Sequence, residues 1–464
     1  MLLPADEQAR VRYYQVHLTR LTREGEAVGR VIAALPDARV PEAQALLAGM
    51  PGQPDGEMGG EEAPGTQQGM QEASAVEVAS QEMLVPGGIP GEQVIVAVKE
   101  PPPRLGRRKK RQRHLPLRIS IVQVLDPSPW RVEAPCPHFG TCGGCQFQHI
   151  AYDQQLEIKR EMIIDLLRDE GGFADPPVLP TVACAVPWRY RNHMRFSVNR
   201  EGQVGLTARG SHRVIPLSDC PIAHESVNRA LAVLAAMPQP RPQVLVRCGA
   251  NTGQLLLQPA PMPEVRAHLE AAGLDVHEES IEEGLAGAYF RIRPSSFFQT
   301  NTVQAERMAA LVLRGLEVGP GMTVADAYCG VGTFAVLLAR HARRIIGIEE
   351  SASAVRDALW NVRDTSNVQI IQGKTESVLP TLAETIDGLV LDPPRQGCQR
   401  SVLDALVVRQ IPRVVYVSCD PATLARDLRY LCHTTGAYQL LEVQPLDMFP
   451  QTAHVECVAV LRAR

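Results

Sequence analysis

The pattern of hydrophobic and polar positions divides the chain into three stretches that predict different elements. Up to about residue 127, apolar residues occur in short runs broken by glycine and proline; Gln93–Val98 and the alternating stretch Leu117–Val124 predict strands. Residues Tyr152–Arg168 carry apolar side chains at helical intervals. From Thr323 onward, apolar strands alternate with helical patterns, which is typical of an α/β fold with a parallel sheet.

The length of 464 residues allows two or three domains. We expect boundaries that give domains at 10–127, 128–290 and 291–464. No run of eighteen apolar residues predicts a membrane helix, and the N-terminus lacks the basic segment and apolar core of a signal peptide. The eleven cysteines are not spaced like a disulfide scaffold. We therefore expect a cytoplasmic protein with no membrane contact and no obligatory protein partner.

Charge is distributed unevenly, although the net charge is only −4. Residues 41–98 contain no lysine or arginine, and the part from about 40 to 81 is rich in Gly, Pro, Gln and Glu, which predicts a disordered acidic insertion. Seven basic residues then lie between Arg104 and Arg113. Such a run is either a solvated or mobile segment or a patch that contacts phosphates.

Three cysteines in a glycine-rich loop predict a metal or cluster site. Cys136, Cys142 and Cys145 have the spacing Cys-x5-Cys-x2-Cys, and Cys220, which precedes a proline, is the candidate fourth ligand. Three clustered ligands and one remote ligand favour a [4Fe-4S] cluster. Zinc is the main alternative, because zinc also accepts four cysteines.

Basic and aromatic residues interleave over Trp188–Val198. This pattern fits a strand face that stacks on bases and contacts phosphates. It fits equally an ordinary β-hairpin with Gly202 and Gly205 in its turn.

A glycine loop between a strand and a helix predicts a cofactor site. The strand Thr323–Tyr328 is followed by Cys329-Gly330-Val331-Gly332-Thr333 and by a helical pattern over Phe334–Ala342. The next strand, Arg344–Glu349, ends in an acid at a distance that suits a carboxylate holding ribose hydroxyls. The third glycine of the dinucleotide motif is missing and Asp326 precedes the turn, so the loop resembles that of S-adenosylmethionine-dependent methyltransferases.

Two later strands end in residues that can do chemistry. Val414–Val417 runs into Ser418-Cys419-Asp420-Pro421, and Gly388–Leu391 runs into Asp392-Pro393-Pro394-Arg395. Ligands of open α/β sheets bind beyond the carboxyl ends of the strands, where Cys419 would lie. A lone cysteine is more often a buried structural residue, but the neighbouring cofactor loop and acids argue for a chemical role here.

These motifs together resemble the RNA uracil-C5 methyltransferases. The match rests on Ser418–Pro421, Asp392–Arg395 and Phe449-Pro450-Gln451-Thr452-Ala453-His454-Val455-Glu456. The cysteine loop, with Leu21–Arg30 and Val85–Glu92, resembles the TRAM-domain subgroup that modifies 23S ribosomal RNA. The resemblance implies an α/β fold with a Rossmann-like methyltransferase sheet, an N-terminal TRAM-type small β-barrel, and a central iron–sulfur, RNA-binding α+β region.

The resemblance also implies the substrate, the donor and the roles of individual residues. The substrate would be RNA, ribosomal RNA before tRNA, and the methyl donor S-adenosylmethionine. Cys419 would be the nucleophile that adds to uracil C6, and Glu456 the base that removes the C5 proton. The residues expected around the donor are Gln299, Tyr328, Gly330, Thr333, Glu349, Glu376 and Asp392.

Three rival functions account for fewer of these residues. An exocyclic-amine methyltransferase also carries Asp-Pro-Pro, but usually with an aromatic residue where Arg395 stands, and it has no use for Cys419. A cytosine-C5 enzyme shares the thiolate route but would usually place its cysteine elsewhere. A non-catalytic RNA-binding iron–sulfur protein leaves Cys419 and Glu456 without a role.

Overall fold

The computed structural model describes residues 11–35, 82–99 and 118–464 of the chain. The acidic insertion predicted over 40–81 and the basic run over 104–113 lie outside these ranges. Contacts between residues divide the chain into two units, Met1–Glu133 and Ala134–Arg464. The division into three domains at 10–127, 128–290 and 291–464 stays a prediction.

The first unit is a five-stranded antiparallel sheet in the order β3-β2-β1-β4-β5. Val16 and Leu18 of β1 and Val96 of β4 are buried in one apolar cluster, because alternate residues of a strand point to the same face. Within the described ranges β3 and β5 are not paired with each other, so the TRAM-type barrel stays a prediction. The strands are β1 (Val11–Leu21), β2 (Ala27–Leu35), β3 (Glu82–Val85), β4 (Gln93–Lys99) and β5 (Arg118–Asp126).

The second unit begins with a helix and a six-stranded sheet in the order β11-β10-β9-β6-β7-β8. Its elements are α1 (Tyr152–Asp169), β6 (His193–Val198), β7 (Val204–Thr207), β8 (Val214–Pro216), α2 (Glu225–Ala235), β9 (Gln243–Cys248), β10 (Gln254–Gln258), α3 (Pro263–Ala271) and β11 (Asp275–His277).

Two details of this sheet differ from the sequence prediction. The strand expected from Trp188 begins only at His193, because Arg189 has a φ of 54° and interrupts the extended backbone. Gly205, expected in the hairpin turn, lies inside β7. A Cβ atom there would be 1.8 Å from the Ile215 carbonyl oxygen, so the close approach of β8 requires glycine.

The C-terminal part is a seven-stranded sheet in the order β16-β15-β14-β17-β18-β20-β19, and a two-stranded β12–β13 hairpin precedes it in the chain. The strands and helices are β12 (Ile281–Leu285), β13 (Ala288–Ile292), α4 (Thr302–Leu316), β14 (Thr323–Ala327), α5 (Thr333–Ala339), β15 (Arg344–Glu349), α6 (Ala352–Asn361), β16 (Val368–Gln372), α7 (Thr375–Val378), β17 (Gly388–Leu391), α8 (Arg400–Arg409), β18 (Arg413–Ser418), α9 (Pro421–Arg429), β19 (Tyr438–Leu446) and β20 (Glu456–Ala463). Shorter turns are the 3₁₀ helix Leu379–Thr381 and the π-helix Tyr430–Thr434.

The topology of this sheet determines where a ligand can bind. Strands β14 to β18 are parallel, and β20 and β19 close the sheet as an antiparallel pair. The chain runs outward from β14 to β16 and then returns to β17 on the other side of β14. Such a reversal opens a crevice at the carboxyl ends of the strands, and apolar clusters on both faces make the sheet a rigid support for it.

The predicted α/β class is confirmed. Among the helices of the described ranges, none combines the length and apolar character needed to cross a membrane.

Candidate active site

The carboxyl ends of the parallel strands carry four of the predicted site residues. Tyr328 follows β14, Glu349 ends β15, Asp392 follows β17 and Cys419 follows β18. Because these strands are adjacent and parallel, all four residues lie along one edge of the sheet.

Strand register brings Glu456 to the same edge. β20 runs antiparallel to β18 and pairs Cys457 with Ser418. Cys419 follows Ser418 and Glu456 precedes Cys457, so the two residues stand opposite each other at the end of adjacent strands. Residues opposite each other in an antiparallel pair have Cα atoms about 5 Å apart and side chains on the same face. Cys419 is partly exposed, whereas the side chain of Glu456 is buried.

Burial, and for Cys419 and Glu456 also the neighbouring carboxyl groups, raises the pKa values at this edge. Burial, followed by the charges of Glu456 and Asp392, raises the pKa of Cys419 to about 11, while Arg395 acts in the opposite direction. Burial raises the pKa of Asp392 to about 7. Burial and Asp392 raise the pKa of Glu456 well above its usual value. A positive charge placed at this edge would lower all three pKa values.

The glycine loop after β14 is closed by backbone groups and by Glu349. Tyr328, Gly330 and Gly332 have φ values of 64°, 56° and 83°, a left-handed stretch that glycine makes possible at two of the three positions. Oε2 of Glu349 accepts a hydrogen bond from the Gly330 N–H at 3.0 Å, and Oε1 accepts one from the Ser351 N–H at 2.7 Å. Each carboxylate oxygen keeps a lone pair for a further donor, such as a ribose hydroxyl.

Asp326 is a fully buried acid beneath this loop. Its Oδ2 accepts a hydrogen bond from the Ala335 N–H at 2.9 Å in the first turns of α5, which begins at Thr333. Its Oδ1 has no hydrogen-bond partner within the described part of the chain. Burial, with Asp392 and Glu349, raises the pKa of Asp326 well above its usual value. The acids of this edge favour a cationic ligand.

Gln299 lies in the loop between β13 and α4, and two residues that the sequence did not reveal hold this loop. Arg247 is buried and donates hydrogen bonds to the carbonyl oxygens of Arg293 and Ser296, at 3.1 and 2.7 Å. Asn192 donates to the Gln299 carbonyl oxygen at 3.1 Å. Asn192 stands inside the basic–aromatic stretch, so that stretch includes a residue that supports the loop.

Glu376 lies in α7 and shares a cavity of about 470 Å³ with Tyr328. Arg400 and Arg426 line the same cavity. Glu376 and Tyr328, both expected near the methyl donor, therefore line the same cavity.

The segment between β19 and β20, residues 447–455, leads directly to Glu456 and is held by a buried ion pair. Lys159 Nζ lies 2.5 Å from Asp447 Oδ1, and both side chains are fully buried. The Tyr152 hydroxyl donates to Asp447 Oδ2 at 2.7 Å, and Lys159 Nζ donates to the Phe449 carbonyl oxygen at 3.1 Å. Burial lowers the pKa of Lys159, and Asp447 opposes this effect. The only sequence signal for this pair is a lysine within the apolar pattern of α1.

The four predicted cysteines line one cavity. Cys136, Cys142, Cys145 and Cys220 surround a volume of about 190 Å³. Burial, and then the nearby thiols, raises the pKa of Cys145 to about 12. In residues 11–35, 82–99 and 118–464, no three or more His, Cys, Asp or Glu side chains are arranged closely enough to hold a metal ion. The thiols share a cavity, and the [4Fe-4S] cluster stays a prediction.

Comparison with known proteins gives a consistent family. Residues 273–464 match the family model described as tRNA (uracil-5-)-methyltransferase. An uncharacterized RNA methyltransferase of Gloeobacter violaceus is 39% identical over 392 residues, which are 74% of this chain and 85% of the relative. Another, from Nostoc, is 33% identical over 434 residues, which are 82% and 92% of the two chains.

A solved structure agrees with these matches. The tRNA (uracil-54, C5)-methyltransferase of Pyrococcus abyssi, in complex with S-adenosyl-L-homocysteine, superposes with a TM-score of 0.61 at 26% identity, over 82% of this chain and 94% of that chain. The parallel sheet, the glycine loop with Glu349 and the acidic edge fit S-adenosylmethionine, whose demethylated product is bound in that structure. The chain belongs to the tRNA (uracil-5-)-methyltransferase family of S-adenosylmethionine-dependent RNA methyltransferases.

Proposed function

We propose that this enzyme methylates C5 of a uridine in 23S ribosomal RNA through a covalent bond between Cys419 and uracil C6. The observation that carries the proposal is the register of β18 and β20, which sets Cys419 opposite Glu456 at the edge that holds the methyl-donor loop. A nucleophile and a base in contact with one ring are what this reaction needs.

The chemistry assigns each residue a separate step. The Cys419 thiolate forms a bond to C6, and the electron pair of the C5–C6 double bond moves toward the C4 oxygen as an enolate. C5 thereby becomes nucleophilic and gains the methyl group. Glu456 then takes the C5 proton, the C5–C6 double bond forms again, and the C6–S bond breaks to return the thiolate.

S-adenosylmethionine supplies the methyl group, because loss of that group turns its sulfonium into the neutral sulfide of S-adenosylhomocysteine. The residues of the edge fit such a donor: Glu349 has free lone pairs for the ribose, and the acids Asp326 and Asp392 favour a cation. A cation bound there would lower the pKa values of Cys419 and Glu456, which favours the thiolate and the carboxylate that the two steps need.

The cavity with four thiols supports a [4Fe-4S] cluster on Cys136, Cys142, Cys145 and Cys220. The four thiols line one cavity of about 190 Å³. Bound iron would stabilise the thiolate forms that burial disfavours. Protein purified without oxygen should hold about four irons per chain. One tightly held zinc and no iron would decide for the alternative.

Ribosomal RNA is proposed because the cysteine cavity and the five-stranded N-terminal sheet correspond to the subgroup that the sequence resembles. A tRNA uridine is the second candidate, favoured by the likeness to the Pyrococcus abyssi enzyme, whose name gives uracil-54 of tRNA. Mass mapping of 5-methyluridine in ribosomal RNA and tRNA, from cells with and without this protein, separates the two. Loss of the modification from tRNA alone would refute the ribosomal substrate.

The covalent route is tested with two variants. Cys419→Ala should abolish methylation while donor and RNA binding persist. Glu456→Gln keeps the shape of the side chain but cannot accept the proton as a carboxylate does, so it should accumulate a methylated covalent adduct with ordinary uridine RNA. Wild-type enzyme should be trapped only on RNA that contains 5-fluorouracil, because fluorine cannot leave as a proton.

The outcomes distinguish the two roles. A Cys419→Ala, Glu456→Gln double variant should form no adduct, because the bond to C6 never forms. Methylation by Cys419→Ala would refute the nucleophile. Normal turnover by Glu456→Gln, or a block before any adduct forms, would refute the role of Glu456 as the base. His454, in the loop just before Glu456, would then be the next residue to test.

A further inference from the structure

The segment that follows the cysteine loop holds the loop that leads to Glu456. The main-chain N–H groups of Gln146 and Phe147 both donate to the Gln451 carbonyl oxygen, at 3.1 and 3.0 Å. Gln451 is almost fully buried, and its φ of 70° places it in the left-handed region. Left-handed backbone is unfavourable for a residue other than glycine, so neighbouring contacts must hold Gln451 in this conformation.

A pair of side-chain amides completes this hold. Gln155 Nε2 donates to Gln451 Oε1 at 3.0 Å, and Gln155 Oε1 accepts from the Gln451 main-chain N–H at 3.2 Å. The same Gln155 amide donates to the carbonyl oxygens of Phe147 and Ile150, at 3.1 and 2.9 Å. One buried glutamine therefore ties Gln451 to the segment that follows Cys145.

The side chain of Gln146 connects the two loops directly. Its Nε2 donates to the carbonyl oxygen of Gly143, which lies between Cys142 and Cys145, at 3.1 Å. Its Oε1 accepts from the Ala453 N–H at 3.4 Å. Ala453 is three residues before Glu456, so a single side chain spans from the cysteine cavity to the loop that carries the proposed base.

We propose that Gln146 and Gln155 are positioning residues that make proton removal by Glu456 depend on the order of the cysteine loop. The proposal rests on the proposed function of Glu456. A general base must lie within hydrogen-bond reach of the proton it takes, and a displacement of about 1 Å is enough to lose most of its effect. Cys419 directly follows β18, whereas Glu456 directly follows the loop, so we expect proton removal to respond more strongly than thiol addition when these hydrogen bonds are lost.

The first test uses Gln146→Ala and Gln155→Ala, with Gln239→Ala as the matched control. Gln239 is also buried and also donates to two main-chain carbonyl oxygens, but these belong to Leu234 in the last turn of α2 and to Met237 just after it. We expect both test variants to accumulate the methylated adduct with uridine RNA and to release product about tenfold more slowly or worse. Their rate of trapping on 5-fluorouracil RNA should stay within twofold of wild type. Gln239→Ala should behave as wild type in both assays.

The second test does not depend on activity. Hydrogen exchange of the peptide that contains the Gln451 and Ala453 amides should become faster in both test variants and unchanged in Gln239→Ala. The same peptide should exchange faster when Cys142→Ser disturbs the cysteine loop.

Each result decides the proposal. Normal product release by Gln146→Ala and Gln155→Ala would overturn it. A parallel loss of 5-fluorouracil trapping would also overturn it, because the residues would then support the whole site. If wild-type enzyme is not trapped on 5-fluorouracil RNA, the proposed function fails, and hydrogen exchange still decides whether the two glutamines hold the loop. Unchanged exchange in every variant would refute the connection.

Discussion

The protonation state of Cys419 gives a quantitative prediction for the enzyme without its substrates. Burial raises the pKa of Cys419 from the ordinary value of 9.0 to about 11. At pH 8 the thiolate fraction is therefore roughly one in a thousand, against roughly one in ten for an ordinary cysteine. A more basic thiolate is also more nucleophilic, which offsets about a factor of ten of this hundredfold difference in thiolate fraction. Cys419 should thus react with iodoacetamide about tenfold more slowly than the same cysteine in unfolded protein.

The pH profile has a definite sign. Raising the pH removes the proton from the thiol, so alkylation should accelerate about tenfold per pH unit between pH 8 and 10 and level off near pH 11. Peptide mapping by mass spectrometry measures Cys419 separately from the other ten cysteines. In unfolded protein the same peptide should level off near pH 9. Glu456→Gln removes a carboxyl group that raises this pKa, so its profile should move to lower pH.

Two results would refute this reasoning. A folded-state profile that levels off at or below pH 9 would mean that Cys419 is not in the dehydrated, acidic surroundings described above. An unchanged profile in Glu456→Gln would mean that the two side chains do not interact.

Three further predictions concern the framework of the site. Lys159→Met should lower the free energy of unfolding, measured with urea, by about 3–5 kcal/mol, because it leaves the Asp447 carboxylate buried without its partner. The double variant with Asp447→Asn should recover part of this loss. Gly205→Ala should lower the free energy of unfolding by about 3 kcal/mol or prevent folding, because the new Cβ atom would collide with a main-chain carbonyl group of β8. Gly319→Ala is the control: no atom lies near its new Cβ atom, so the free energy of unfolding should hardly change. Arg247→Met should weaken the binding of S-adenosylhomocysteine at least tenfold in calorimetry, because it removes the hydrogen bonds to two carbonyl groups of the loop that carries Gln299. RNA binding should change little, and an equal loss of both affinities would contradict this prediction.

Elements whose signals are local could be predicted from the sequence. The strands before Cys419 and Asp392 are continuous apolar runs, because both faces of a parallel strand are covered by helices, and such runs are recognisable without a partner. The glycine loop was predictable because left-handed backbone at Gly330 and Gly332 requires that residue type. Asn301 caps α4 by accepting a hydrogen bond from the Gln304 N–H, a role that short polar side chains favour at the start of a helix.

Contacts between residues far apart in the chain could not be predicted, because they depend on the fold. Strand order and the register of β18 with β20 set Cys419 opposite Glu456, and no local pattern contains that register. Gln155 and Gln451 pair although 296 positions separate them in the chain. In a sequence, a glutamine or lysine in a helix predicts a solvated side chain, because burial without a partner is costly. The partner that makes burial favourable comes from another part of the chain, and it exists only once the fold has formed.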